Sequence, residues 1–569
     1  MKRYIKTAIS LGLILILFAC NGMDNPPTDK YTDSNFWTSI DKAQNMLNMA
    51  YNQLYGAGRM WNDERLTDNV FQARSFTDQR TIRNGLADPS TNIFADEWKG
   101  MYEGIKTCNI ILENIDNLKA SDKIKQNMKA QTRYVRAALY FRLTNFYGAV
   151  PFFDKDISLA ESNTIGRTPH ETIIEFIVKE LQEIVPDLPK REELATADNG
   201  KITKAAALML MARVYLYESN WAKTEYYCNE IMSGKYGKYE LFPSYTGLFE
   251  IKNEYNSEVI LDYAYVPSIR TWGELWDMVP LSKGGRLINT APTQSLVDNY
   301  IMLDGKSIDQ SSNYDPAHPY DKRDPRLTAT VIYDNYKWSE NVNDGSVNEV
   351  IYTNPSNNTP DAYKGINANS SATGYYIRKY YDPHHEAQLA LSTNIITMRY
   401  ADVLLMYAEA KIELNEIDAT VIDAMNSVRA RAYGVDKAQT TSYPAFTILS
   451  QTDMRKQLRM ERRMELAGEN LRFADLIRWR LAEVVMKQKQ YGMLYPATEC
   501  LTKVVNTGNW FWPITPDIDE NGCPDFTKME QTGLIQVLSQ RQWDNRQYLW
   551  PIPSKDIQIV SNFKQNDGY

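Results

Sequence analysis

The fold of this chain is decided by residues 201–235, which read KITKAAALMLMARVYLYESNWAKTEYYCNEIMSGK. Apolar residues recur there at the spacing i, i+3, i+4, i+7 and i+8, at positions Leu208, Met211, Ala212, Tyr215 and Leu216. That spacing places them on one face of an α-helix. The pattern stops at residues 218–220 and starts again at Trp221, so the stretch predicts two helices joined by a short turn.

The two predicted helices together resemble a tetratricopeptide unit. Small residues stand at Ala212 and Thr224, where the helices of such a unit cross closely. The sequence departs from the repeat pattern at Ile231, where the repeat has alanine. Because one helical hairpin cannot bury both of its faces, the resemblance implies a stack of several pairs.

Composition restricts the classes of function. The chain has 569 residues, of which 43% are hydrophobic and 24% charged, as in an ordinary globular protein. Its net charge of -8 argues against an extended basic surface and therefore against nucleic acid as a partner. Aromatic residues make up 12% of the chain, more than a core alone needs, so some are expected to face a ligand or a partner.

The N-terminus is typical of a secretion signal. Three basic residues within the first six positions precede an uncharged run over residues 7–19. The run ends in Leu-Phe-Ala-Cys at residues 17–20, which resembles a bacterial lipobox. We therefore predict a lipoprotein signal peptide at 1–19, a diacylglyceryl group on the thiol of Cys20, and a lipidated tether at 20–35. The alternative is a cleaved secretory signal followed by an incidental cysteine.

The other four cysteines predict no metal site. Cys108 and Cys228 fall on apolar faces of predicted helices and are interpreted as core residues. Cys500 and Cys523 lie in a loop-rich segment, where a disulfide remains open. The sequence has no CxxC pair, so a zinc or thioredoxin-like site has no support.

Helical periodicity divides the remainder into four regions. We predict a helical region at 36–239, a loop-rich ligand-binding insertion at 240–393, a second helical region at 394–487 and an irregular C-terminal region at 488–569. Within the first region, residues 57–95 are predicted to be irregular. Residues 454–486 are predicted to form a scaffold helix whose arginines pair with its own acidic residues.

Four features of the sequence resemble the RagB/SusD family of surface glycan-binding lipoproteins. They are the lipobox at Cys20, TRYVRAALYFRLTNFYGAVPF at 132–152, MRYADVLLMYAEA at 398–410 with ERRMELAGENLRFADLIRW at 461–479, and the ending LWPIPSKDIQIVSNFKQNDGY at 549–569. The resemblance spans nearly the whole chain.

The resemblance implies both a fold and a function. The fold is mainly α, a tetratricopeptide-like right-handed helical stack that carries a large irregular loop-rich insertion. The function is capture of oligosaccharide or polysaccharide at the cell surface, on the outer face of the outer membrane. From there the glycan passes to a SusC-like TonB-dependent transporter. No catalysis and no cofactor are implied, and the hairpin at 201–235 becomes scaffold that presents the loops.

The glycan site is predicted in the two irregular stretches, because family ligand sites lie on loops outside the helical stack. Aromatic rings stack on the C–H faces of sugars, and polar side chains bind the hydroxyl groups. The candidate residues are Trp61, Asn62, Asp63, Asp68, Arg74, Asp78 and Arg80 in the first stretch, and Trp272 and Trp276 in the second. For each tryptophan the alternative is a packing role beneath its loop.

Other functions have weaker support. A surface glycoside hydrolase needs two suitably placed carboxylates, and no motif marks such a pair. A peptide-binding tetratricopeptide adaptor disagrees with the lipobox, whereas a peptide- or glycopeptide-capturing lipoprotein of the same family remains an alternative.

Metal sites are not predicted. Residues 384–386 read His-His-Glu but lack helical HExxH-type spacing. The acidic loop at 315–324 carries oxygen ligands of the kind that calcium prefers, but no motif supports a structural calcium ion there.

Overall fold

The structure is a computed structural model that describes residues 36–74, 77–338, 349–381 and 390–569. The signal peptide, Cys20, the tether and residues 384–386 lie outside the described residues. The helices are α1 (Ile40–Tyr51), α2 (Ala57–Glu64), α3 (Asp78–Arg83), α4 (Asn92–Asn114), α5 (Asp122–Tyr147), α6 (Leu159–Ser162), α7 (His170–Ile184), α8 (Lys204–Tyr217), α9 (Trp221–Met232), α10 (Gln294–Asn299), α11 (Arg326–Thr330), α12 (Tyr400–Glu413), α13 (Ala419–Ala432), α14 (Gln451–Leu466), α15 (Leu471–Arg478), α16 (Ala482–Val485), α17 (Ala497–Lys503), α18 (Thr527–Gln531) and α19 (Ser554–Ile559).

The hairpin at 201–235 is confirmed as the pair α8 and α9. The Thr203 side chain accepts a hydrogen bond from the backbone N–H of Ala206, and the Asn220 side chain accepts one from Lys223, so both helices begin at capped residues. The turn between them passes through Ser219 at a φ of 55°. More of α8 is buried than the single predicted apolar face, since residues 205–212 are all buried.

Helix α8 is buried on several sides because the helices pack in chain order. Contacts run from α1 to α4, then through α5, α7, α8 and α9 to α12, which packs on α13 and α14. Each pair therefore covers the apolar face of the next, as the tetratricopeptide resemblance implied. The mainly helical, tetratricopeptide-like fold is confirmed. Among the described residues, no helix has both the length and the apolar character that a membrane crossing would require.

The strands are short and pair in twos. They are β1 (Val70–Gln72), β2 (Val150–Pro151), β3 (Arg167–Thr168), β4 (Val259–Tyr263), β5 (Thr290–Pro292), β6 (Val331–Ile332), β7 (Tyr336–Trp338), β8 (Glu349–Ile351), β9 (Tyr376–Ile377), β10 (Ile395–Arg399), β11 (Lys489–Met493) and β12 (Ile535–Gln540). The antiparallel pair β4 and β10 matters most for the architecture, with Ile395 opposite Tyr263 and Arg399 opposite Val259. The loop-rich region therefore leaves and rejoins the helical stack at one place.

The prediction that residues 57–95 are irregular was wrong. The segment contains α2, β1 and α3, and β1 pairs with β5 from the loop-rich region. Its charged residues gave no apolar periodicity because several of them are buried in ion pairs. The segment 488–569 likewise holds the antiparallel strand pair β11 and β12 and the helices α17 to α19.

The predicted single helix at 454–486 is broken into α14, α15 and α16. Gly468 and Asn470 adopt positive φ values of 76° and 64° between the first two, and Arg480 adopts 57° before the third. The predicted pairing within the segment is found at Asp475, whose Oδ2 lies 3.0 Å from Arg462 Nε. The prediction was wrong for Glu461, Glu465 and Glu469, which pair with cations outside the segment.

A network of buried charges joins the loop-rich region to the helical stack. The Glu465 carboxylate lies within hydrogen-bond distance of Arg326, Arg399 and Arg431. Its partners extend the network to five carboxylates and five cations, namely Glu258, Asp324, Glu461, Glu465 and Glu469 with Arg326, Lys379, Arg399, Arg429 and Arg431. Burial alone would raise the pKa of Glu465, but the surrounding guanidinium groups hold it well below its usual range.

The cysteines in the described residues are unbridged. Cys108 and Cys228 are core residues, as predicted. Cys500 and Cys523 are also buried and free, and they belong to separate apolar clusters. The open possibility of a disulfide between them is therefore excluded by their placement.

The C-terminal residues pack into the core formed by the N-terminal helices. The Trp550 ring lies 5.1 Å from the Phe94 ring and 4.3 Å from the Phe146 ring. The Asn566 side chain donates a hydrogen bond of 2.9 Å to the carbonyl of Tyr147. Residues from the C-terminal twenty thus pack directly on α4 and α5.

Replacing Glu465 with glutamine should lower the free energy of unfolding by about 3 to 5 kcal/mol, because it leaves buried guanidinium groups without their counter-charge. Urea denaturation followed by circular dichroism measures the loss. The matched control is Glu499→Gln, which removes the exposed pair with Lys503 and should cost less than about 1 kcal/mol. Equal losses in the two variants would contradict a special role for the network.

Candidate functional site

Four of the nine side chains predicted to bind glycan are buried, so their assignment to the site was wrong. They are Trp61, Asp63, Asp68 and Trp272, each exposed by 5% or less. A ring that solvent cannot reach has no face to offer a sugar, and both carboxylates are already engaged in ion pairs with arginines. These four side chains instead hold the segment 57–95 and the loop-rich region in place.

The two aspartates are held in ion pairs with the helices. Asp63 Oδ2 lies 2.8 Å from Arg142 on α5. Asp68 lies 2.8 Å from Arg463 and 2.9 Å from Arg472. Burial acts to raise the pKa of Asp68, but the charges of the two arginines outweigh it and the pKa falls below its ordinary value.

Trp272 has the packing role that was the alternative for each tryptophan. Its Nε1 donates a hydrogen bond of 2.8 Å to the carbonyl of Thr393, and its backbone pairs with Leu391. Trp61 is fully buried on α2, which packs against α15.

Asp78 and Arg80 are partly buried, and their contacts described here are structural. Asp78 Oδ2 accepts a hydrogen bond of 3.0 Å from the backbone of Ile93 in the first turn of α4. The Arg80 guanidinium donates to the carbonyls of Gln72 and Ala73 on and beside β1. Neither contact places these side chains at the exposed ring described next.

Trp276 differs from the other tryptophans, all of which lie in described ranges. It is 42% exposed, and it stands on a single helical turn, Glu274–Asp277. Its carbonyl accepts a hydrogen bond of 2.9 Å from the backbone of Arg286, an exposed residue. A large ring is therefore presented to solvent on a turn whose backbone is bonded to that of an exposed arginine.

Hydrogen bonds bring the two predicted stretches together at this ring. Arg65 Nη2 lies 3.2 Å from Asp277 Oδ1, and Arg65 also donates to Asn62 Oδ1 at 3.3 Å. The Asn289 backbone donates to the Asp277 carbonyl at 3.0 Å, and Asn289 Oδ1 accepts from the Arg74 backbone at 2.8 Å. We call the accessible side chains of this junction, Asn62, Arg65, Arg74, Trp276 and Arg286, the Trp276 surface.

The Trp276 surface combines an exposed aromatic ring with four side chains that carry hydrogen-bond donors. Asp277 behind it is buried, and its pKa is raised by that burial although Arg65 opposes the change. Such a surface can stack a sugar ring and donate to its hydroxyl oxygens. In the described ranges, no group of three or more His, Cys, Asp or Glu residues is arranged to hold a metal ion.

The sequence interpretation missed Arg65 and Arg286. Arg65 lies inside the stretch that supplied Asn62, so its position gave a signal that was not used. Arg286 follows a turn that needs glycine, because a Cβ at Gly285 would lie 2.1 Å from the carbonyl oxygen of Val279. That turn returns the chain to Trp276.

Two family models match the chain. A model described as the SusD family matches residues 248–569, and one described as starch-binding associating with outer membrane matches residues 24–216. The first match covers more than half of the chain. The chain belongs to the SusD family.

Individual SusD relatives support the assignment. The SusD-like protein P25 of Formosa agariphila is 28% identical over 445 residues, which cover 74% of this chain and 76% of that protein. A solved SusD-like carbohydrate binding protein from Bacteroides fragilis superposes with a TM-score of 0.78 at 25% identity, covering 93% of this chain and 100% of that one. A laminarin binding SusD-like protein shares the SusD fold, with a TM-score of 0.65 at 19% identity, covering 94% of this chain and 100% of that one.

Trp272 and Trp276 should respond differently to truncation. Trp272→Ala should lower the free energy of unfolding by about 3 to 5 kcal/mol, since it empties a buried site. Trp276→Ala should change it by no more than about 0.5 kcal/mol, because an exposed ring contributes little. Thermal unfolding of the two variants measures the contrast, and a large loss in Trp276→Ala would show that the ring is a packing residue.

Proposed function

We propose that this protein is a cell-surface lipoprotein that binds oligosaccharide or polysaccharide and passes it to a SusC-like TonB-dependent transporter. Membership of the SusD family carries the proposal. The solved Bacteroides fragilis relative is described as carbohydrate binding, and the model that matches the N-terminal part names starch binding. The glycan contact assigned here is the Trp276 surface.

The chemistry expected at the Trp276 surface is binding without bond cleavage. A sugar ring stacks on Trp276 through its C–H face, and the donors of Asn62, Arg65, Arg74 and Arg286 bind its hydroxyl oxygens. Because the ring is exposed before the ligand arrives, a sugar can reach it without movement of the backbone. The glycan is held and released intact.

Attachment to the outer membrane is proposed through the lipid on Cys20. The polar residues 21–35 then act as a tether between the membrane surface and the first helix. A surface position places the glycan site outside the cell and within reach of a transporter barrel in the same membrane.

Affinity electrophoresis against a polysaccharide panel that includes starch and laminarin tests the binding function. At least one polysaccharide should retard the wild-type protein. Trp276→Ala should lower the affinity for that polysaccharide about tenfold, which corresponds to about 1.4 kcal/mol. The matched control is Tyr226→Ala, which removes a ring 53% exposed on α9 and should bind as wild type. Release of reducing ends during incubation would contradict binding without cleavage.

Substitution of Cys20 with alanine tests the anchor. The variant should lose lipidation and surface attachment, since it lacks the thiol that takes up the diacylglyceryl group. Surface labelling of intact cells, with wild type beside it, measures the change. Undiminished labelling of Cys20→Ala would overturn the lipid anchor and leave the binding proposal intact.

A further inference from the structure

We infer that a cleft on the inner side of the helical stack is a second binding site, for a short uncharged oligosaccharide. The cleft has a volume of about 980 Å³ and lies between α1, α5 and α8 on one side and β4 and α15 on the other. This inference rests on the proposed glycan-binding function and adds a site to it. None of the residues of the Trp276 surface lines the cleft.

The cleft has the size and the rings of a sugar site. Ligand pockets commonly enclose about 300 to 1,000 Å³, so this one is at the upper end. Partly buried aromatic side chains line it, among them Tyr55, Phe146, Tyr217 and Tyr263. These four come from α5, α8, β4 and the residues after α1, so rings face the space from several sides and can stack on successive sugars.

Ion pairs neutralise three of the arginines that line the cleft, Arg142, Arg213 and Arg478. Arg142 lies 2.8 Å from Asp63 and 3.1 Å from Glu97. Arg213 lies 2.9 Å from Asp402. These guanidinium groups therefore present polar edges to the cleft with their charge already matched.

The same holds at the α15 wall. Arg478 lies 2.7 Å from Asp475 and also pairs with Glu409. A ligand carboxylate would have to compete with these resident carboxylates, whereas a hydroxyl group can bind beside them. At these three arginines, the matched charges favour an uncharged ligand over the C-terminus of a peptide.

Polar groups without a protein partner also point to a ligand. Among the described residues, no hydrogen-bond partner is found for the side-chain amide of Asn145 or for the hydroxyl of Tyr217, and both line the cleft. In the same wall Asp262 is 7% exposed; its Oδ2 accepts from Asn394 at 2.9 Å, and its Oδ1 lacks a partner in the described structure. Burial raises the pKa of Asp262 to about 7.

Unmatched buried donors and acceptors are costly, and an apolar ligand would leave them unmatched. A sugar hydroxyl both donates and accepts, so it can satisfy an amide, a phenol and a carboxyl in one cleft. An acyl chain would meet the rings but not these groups. The combination of rings, matched charges and unpartnered polar groups therefore identifies an oligosaccharide as the occupant.

Isothermal titration tests the second site, with short oligosaccharides made by partial acid hydrolysis of the polysaccharide that retards the wild-type protein. Wild type should bind two equivalents and Trp276→Ala one. Asn145→Trp, which places a bulky ring in the cleft, should also bind one, and the double variant should bind none. Two equivalents on Asn145→Trp, or one equivalent on wild type that Trp276→Ala abolishes, would overturn the second site.

A milder variant protects the test from a folding failure. Asn145→Ala in the Trp276→Ala background removes only the amide and should weaken the remaining equivalent about threefold to tenfold. Tyr226→Ala in the same background is the matched control and should leave that equivalent unchanged. The occupant would be a peptide and not a sugar under two conditions. Wild type would bind a tryptic peptide digest that Asn145→Trp does not bind, and no oligosaccharide equivalent would be assigned to the cleft.

The outcomes separate the two proposals. If no polysaccharide in the panel retards wild type, the glycan-binding function fails and the second site fails with it. If a polysaccharide retards wild type and the titration gives a single equivalent at the Trp276 surface, the function stands and only the cleft is refuted.

Discussion

The architecture depends on the buried carboxylate of Glu465. Three guanidinium groups meet it: Arg326 from the loop-rich region, and Arg399 and Arg431 from the helical stack. A buried charge is tolerable only with its partners in place. The loop-rich region therefore has one favourable position on the stack, in which Glu258, next to β4, pairs with Arg399 of β10.

The scaffold could be predicted from the sequence because its information is local. Apolar spacing over residues 201–235 and 400–413 is enough to indicate helices that bury one another. The segment 57–95 could not be predicted in this way, since its order comes from distant partners. Asp68 pairs with Arg472, 404 positions away, and no periodic pattern records such a contact.

The candidate site shows the same limit at the scale of one turn. Trp272 and Trp276 are four positions apart, and sequence alone gave them equal standing. The inward direction of one ring is set by the Thr393 carbonyl, which accepts its N–H, and the outward direction of the other by a turn closed through Arg286. The family resemblance predicted loops as the location of the site, but exposure depended on these two contacts.

The packing of the C-terminal residues on helices α4 and α5 also affects when the protein can fold during synthesis. Trp550 and Asn566 reach Phe94, Phe146 and Tyr147, so the first core cannot close until almost the whole chain is available. Contacts of such long sequence separation slow folding. For the surface location proposed above, this late completion means that the chain is still open to export before its first core closes.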